Sequence, residues 1–246
     1  MIDKVISEIR TFLKKNAPQL TKDQKSRMYK ILNSDNPNFV GYGNKHSEIE
    51  KFVRKIHGEF DLSYDNASKI FKSLIKSNIH DEKLTGLFLL NRFKKDFTVE
   101  TVDMIQEAIP EYFDTWAITD TTMIRVVGPF LAKIGNDKLA AKTIEEWSSS
   151  EYLWIRRAAL VIFIKIIMVK KDFNSYDVFK LVERMRKHPE EYIHKGIGWL
   201  LKSCSNCEPE VIFEYLMNNK GNLSRIILRY ASEKLPKDKR AQILKK

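Results

Sequence analysis

Ser148-Ser149-Ser150-Glu151-Tyr152-Leu153-Trp154-Ile155-Arg156-Arg157-Ala158-Ala159-Leu160-Val161-Ile162-Phe163-Ile164-Lys165 is the stretch that decides the fold. Three serines make a short turn with good capping chemistry, because their hydroxyls accept from the first backbone N–H groups of a helix. The run that follows predicts a helix over 151–169. Its longest apolar stretch, Ala158 to Ile164, is stopped by Lys165 and is too short to span a bilayer. Ala158-Ala159, like Ala231 farther on, place small side chains where helices of adjacent repeats must approach closely.

The same grammar extends outward along the chain. Apolar residues recur at helical spacing, as in Leu84, Leu87, Phe88, Asn91 and Phe93, or Ile124, Val127, Leu131 and Ile134. Strand-like alternation is hard to find, and only nine glycines and seven prolines punctuate the chain. Helices are predicted over 2–15, 21–33, 46–58, 63–77, 83–95, 98–108, 115–134, 136–147, 151–169, 175–187, 190–204, 208–218, 222–234 and 236–245. Asn36-Pro37-Asn38 and Gly41-Tyr42-Gly43 form a loop. Pro110 ends a helix, since it lacks an N–H and clashes with the preceding turn. Asp114 or Thr115 caps the next one, and Pro209 opens another at its first turn. Short helices with short turns read as an all-α, HEAT-like α-solenoid of about six helical repeats, C-shaped with a basic concave face. A globular α bundle is the alternative. No linker divides the chain, so one domain over 1–246 is expected.

Bulk properties narrow the partners. The 246 residues carry 43 Lys and Arg against 32 Asp and Glu, a net charge of +11. Such an excess suits a polyanion, most simply nucleic acid. The N-terminal Met1-Ile2-Asp3-Lys4-Val5-Ile6-Ser7-Glu8 is charged and helix-like, without an apolar signal core, which leads us to expect a cytoplasmic protein with no membrane association. Cys204 and Cys207 have Cys-x-x-Cys spacing. A structural zinc takes four protein ligands, no second pair exists, and the βαβ context of a thioredoxin motif is absent. No metal or cofactor is expected.

Three residues stand one repeat apart: 41 residues separate Trp116 from Arg157, and 42 separate Arg157 from Trp199. Residues one repeat apart in a solenoid line the same surface. Asp120 lies one helical turn after Trp116, on the same face. The ordinary alternative is a core tryptophan beside a solvated aspartate, but Ile118, Ile124 and Val127 can supply that buried stripe. Arg157 opens an otherwise apolar helix, which places it at the core's edge, able to fork onto a phosphate or to pair with Glu146, Glu151 or Asp120. Trp147 and Trp154 sit at helix junctions and read as packing residues. In Lys195-Gly196-Ile197-Gly198-Trp199-Leu200-Leu201-Lys202 two glycines weaken a helix by about 1 kcal/mol each relative to alanine. A close approach to another helix or to a ligand backbone would justify them.

Taken in order, Trp116 to Asp120, Glu146 to Ala159 and Lys195 to Lys202 resemble three segments of the AlkD-like DNA alkylation repair enzymes. Those segments are a W-x-x-x-D, a stretch opening on E-W and closing on R-A-A, and a K-A-I-G-W-x-L-R. The resemblance covers roughly residues 80–235. Gly196 replaces an alanine, and Lys202 replaces an arginine, keeping the charge but losing the fork. The N-terminal Phe39-Val40-Gly41-Tyr42-Gly43-Asn44 lacks a proline that the family often carries there.

The resemblance implies excision of N3- or N7-alkylated purines from double-stranded DNA by a monomeric glycosylase. It implies that Asp120 is the catalytic aspartate, that Trp116 and Trp199 contact the lesion, and that Arg157 is the site's arginine. Lys202, Arg156, Lys195 and Tyr29 become candidates for DNA contact. It also implies an open groove rather than the snug pocket of base-flipping enzymes. The alternatives are a silent binder of damaged or branched DNA on the same scaffold, a protein-interaction adaptor, and a lysine-dependent bifunctional lyase.

Overall fold

The computed structural model describes residues 1–245. They form helices joined by short turns, with one isolated parallel bridge between Val40 and Ile79 and no strand among the described residues. The chain divides into two compact units, Met1–Thr122 and a second beginning at Met123.

The first unit holds α1 (Ile2–Lys15), α2 (Lys22–Leu32), α3 (His46–Glu59), α4 (Tyr64–Leu74), α5 (His80–Leu90), α6 (Val99–Tyr112) and α7 (Trp116–Thr122). Thr21 with Gln24, and Ser63 with Asn66, close reciprocal capping boxes at the starts of α2 and α4. α1, α3 and α4 pack on α5, which is buried along its whole length. α2 has no fully buried residue. It is fastened by the Tyr29 hydroxyl, which accepts from Gly41 N at 3.3 Å, and by Met28 against Gly41.

The second unit holds α8 (Gly128–Leu131), α9 (Asp137–Ser148), α10 (Leu153–Lys170), α11 (Ser175–Met185), α12 (Glu191–Cys204), α13 (Pro209–Asn219), α14 (Arg225–Ala231) and α15 (Lys237–Leu244). α8, α10, α12 and α14 pack in succession as one layer. α9 packs on α10 and α11, α11 on α12, and α13 on α12 and α15, forming the other layer. This is the two-layer stacking of a helical repeat array. Ala158, Ala159 and Ala231 are fully buried, as close helix contact requires.

Four local expectations need correction. The helix predicted over 83–95 begins at His80, because His80, Asp81, Glu82 and Lys83 are all buried instead of forming a polar lead-in. Pro110 does not end its helix, which runs to Tyr112. Phe113 N bonds Ile109 O at 3.1 Å and Lys83 Nζ donates to Tyr112 O at 2.6 Å, so the last turn is held around the proline. The serine turn does not cap α10, which starts at Leu153. Ser148 and Ser149 donate back to Glu145 O at 2.9 and 3.2 Å. The helix predicted over 115–134 is α7 followed by a π-helical turn, Met123–Val127, and α8. The wider turn relieves the clash that Pro129 would make with the carbonyl four residues back. Gly128 is needed there, since a Cβ would lie 2.6 Å from Met123 O and 2.7 Å from Lys165 Cβ.

Candidate functional site

In the first unit the candidate chemistry sits on α7. Three residues join α6 to α7, and Thr115 Oγ1 accepts from Ile118 N at 3.3 Å, so the predicted cap is made by Thr115. Ile118, Thr119 and Thr122 are fully buried and anchor the helix. The Thr119 and Thr122 hydroxyls donate back to Thr115 O and Ile118 O, at 3.1 and 2.7 Å. That leaves Trp116 half-buried, with its indole N–H donating to Ile31 O at 2.9 Å. Asp120, one turn on, is 8% exposed. A carboxylate so removed from water exerts a stronger field on a neighbouring cation than a solvated one.

The second unit carries the other predicted residues on α10 and α12. Arg157 is only 5% exposed, deeper than the core's edge. Its Nη1 donates to Tyr192 O at 2.5 Å and its guanidinium lies 6.0 Å from the Tyr192 ring centre. Trp154 tilts against the same ring at 5.2 Å, and Trp147 is 1% exposed, so both tryptophans pack as expected. Trp199 is half-buried, flanking the apolar core of this unit. The glycines before it mark close contacts. A Cβ on Gly196 would fall 2.8 Å from Leu160 Cδ1, and one on Gly198 would fall 2.4 Å from Tyr230 Cβ.

The four predicted DNA-binding residues have internal partners. Arg156 is buried; its Nη1 donates to Ser150 O and Glu151 O at 2.8 and 2.7 Å, and its Nη2 pairs with Glu190. A guanidinium so committed ties the start of α10 to the start of α12, and its side chain is not presented to a phosphate as expected. Lys195 pairs with Glu191 at 2.7 Å and lies 5.7 Å from the Tyr192 ring centre. Lys202 pairs with Glu233 at 2.9 Å and lies 5.9 Å from that of Tyr230. Tyr29 is half-buried, edge-on to Phe39 at 5.3 Å.

Other features bound the chemistry. Cys204 is buried and burial pushes its thiol pKa up, which suits an inert packing residue. Among the described residues no group of three or more His, Cys, Asp or Glu is placed to hold a metal. None of their helices is long and apolar enough to cross a membrane. A cavity of about 910 Å³ opens between α9, α10 and α11, over Ile144, Phe163 and Phe173, and none of the predicted site residues lines it.

The sequence offers Asp114 only as a helix cap and gives Lys83 no role, yet their ion pair at 2.9 Å lies beside α7. The sequence also gives no role to Tyr192, the ring between Arg157 and Trp154. The signal for the first was four consecutive ionisable residues ahead of an apolar helix, which reads as a solvated turn. Tyr192 could have been found as the aromatic one turn before Gly196.

The fold resembles a "predicted DNA alkylation repair enzyme" from Enterococcus faecalis, with a TM-score of 0.74 and 20% identity over 89% of this chain and 98% of that one. It also resembles AlkD2 from Streptococcus mutans, with a TM-score of 0.56 and 19% identity over 87% of this chain and 98% of that one. No curated protein is matched by the sequence. A family model described as DNA alkylation repair enzyme matches residues 9–235, nearly the whole length, and the chain belongs to that family.

Proposed function

We propose that this protein is a monofunctional DNA glycosylase, acting as a monomer, that hydrolyses the N-glycosidic bond of N3- or N7-alkylated purines in duplex DNA. The observation that carries the reading is Asp120, a carboxylate buried on α7 one turn from the half-buried indole of Trp116.

An alkylated purine of this kind is cationic and leaves as a neutral base, so little general-acid help is needed. The sugar becomes oxocarbenium-like as the bond to C1′ breaks. The Asp120 carboxylate stabilises that charge and positions the water that attacks C1′. Water supplies the new C1′ hydroxyl, and its proton passes to solvent. Trp116 and Trp199 hold the cationic nucleotide through their π faces. Arg157, buried and held by the Tyr192 carbonyl, serves as the site's arginine by directing its fixed positive charge toward the phosphates near the lesion. Lesion choice then follows the charge and lability of the glycosidic bond more than the shape of the base.

The test is to incubate the protein with methylated duplex DNA and identify released bases by chromatography. Wild type is expected to release 3-methyladenine or 7-methylguanine, and Asp120→Asn to release them at least about a hundredfold more slowly. Full activity in Asp120→Asn would remove the assigned role. Binding by wild type without release would make the chain a non-catalytic binder of damaged DNA.

A further inference from the structure

Asp81, Glu82 and Lys83 are consecutive, charged and at most 3% exposed. Each faces a different element of the first unit. Asp81 accepts from Tyr42 N and Asn44 N, both at 2.8 Å. Glu82 pairs with Arg10 of α1 at 3.2 Å. Lys83 reaches the junction between α6 and α7. Its Nζ donates to Tyr112 O, the last carbonyl of α6, at 2.6 Å and pairs with Asp114 Oδ2 at 2.9 Å.

Burying such ions is costly, and replacing a buried pair by apolar residues is often neutral or stabilising. What a paired, buried lysine does supply is direction, because its geometry is satisfied in one arrangement only. Here that arrangement spans the three residues that aim α7. Asp114 is also gripped through its other contacts, Asn36 Nδ2 to Oδ2 at 3.3 Å and Asp35 N to its carbonyl at 3.3 Å. Trp116 follows two residues later and Asp120 one turn beyond that. α5, which carries Lys83, itself packs against α7.

We propose that Lys83 is a positioning residue for α7: by clamping the Tyr112 carbonyl and the Asp114 carboxylate it fixes where Trp116 and Asp120 stand. This rests on the glycosylase reading for its catalytic consequence, though not for its structural one. An error of about 1 Å in a catalytic group is enough to cost roughly a hundredfold in rate.

The test uses Lys83→Met and the double variant Lys83→Met/Asp114→Leu, which leaves no buried charge unpaired. Both are labelled with 5-fluorotryptophan, and the Trp116 resonance is assigned by Trp116→Phe. The double variant is expected to fold with a melting temperature near wild type and to bind methylated duplex DNA within about threefold of wild type. Its rate of base release at saturating DNA should fall ten- to a hundredfold, roughly the loss that misplacement alone brings. Its Trp116 fluorine resonance should shift while that of Trp199 stays. A folded double variant with wild-type turnover and an unmoved Trp116 resonance overturns the proposal. So does failure of both variants to fold, which would make Lys83 a stability residue only. If wild type releases no base, the glycosylase reading falls, and the Trp116 resonance still judges the clamp.

Discussion

His80 opens α5 with its imidazole almost wholly out of water and Nδ1 without a hydrogen-bond partner. Burial, opposed by Asp81 and Asp114 and reinforced by Lys83 and His46, lowers its pKa from 6.5 to about 4. The unfolded chain therefore binds more protons than the folded one between those values. The stability His80 contributes is full above pH 6.5 and is lost as pH falls toward 4. The slope is at most about 1.4 kcal/mol per pH unit and the total roughly 3 kcal/mol. Urea denaturation from pH 7 to 4 should show this loss, and His80→Gln should flatten it. An unchanged profile in that variant would place the titration elsewhere. The same neighbourhood shows what a sequence cannot reveal about single residues. His80-Asp81-Glu82-Lys83 looks like a solvated turn because their partners, Arg10, Tyr42, Asn44 and Asp114, are spread over more than a hundred residues. The internal partners of Arg156 and Arg157 were hidden for the same reason: nothing in Arg-Arg says that one ties down Glu190 while the other donates to a tyrosine carbonyl. Trp116 and Asp120 were legible because their relation is local, one turn of one helix.

Elements were easier to read than residues, since helical periodicity is a property of consecutive positions. Boundaries slipped where long-range contacts intervened, at His80 through burial and past Pro110 through Lys83. The glycines of α12 were read correctly as a close-approach device, and they permit a sharp comparison. A Cβ at Gly198 would overlap Tyr230 Cβ at 2.4 Å and press on Ile227 O at 3.2 Å. Neither atom is the far end of a flexible side chain, so α12 and α14 would have to separate. Gly198→Ala should destabilise the protein by about 1–3 kcal/mol, despite alanine's better helix propensity. Gly58, in α3, meets nothing within 4 Å, and Gly58→Ala should stabilise by about 0.5–1 kcal/mol. Equilibrium denaturation midpoints of the two variants should move in opposite directions. A neutral Gly198→Ala would show that the layer of α10, α12 and α14 is looser than its geometry implies.

At the scale of the whole molecule the governing quantity is a net charge of +11. Many cations are spent locally: Lys195 on Glu191, Lys202 on Glu233, Lys239 on Glu210 and Arg184 on Glu145. Such pairs cancel within themselves, and the excess of lysine and arginine remains as a long-range field that draws in a polyanion. If DNA is the partner, binding must release counterions, and affinity must fall linearly with salt on logarithmic axes. Four neutralised phosphates give a slope near −3.6, which is roughly a hundredfold weaker binding at 200 mM than at 50 mM salt. Fluorescence anisotropy on a labelled, undamaged duplex measures this directly, since the electrostatic component ignores sequence and lesion alike. Arg156→Gln, whose guanidinium is turned inward onto Ser150 O and Glu151 O, should leave the slope unchanged even if it lowers stability. An affinity flat in salt would mean that the charge does not contact a phosphate backbone. The helical array would then be better read as a surface for another protein, whatever its family.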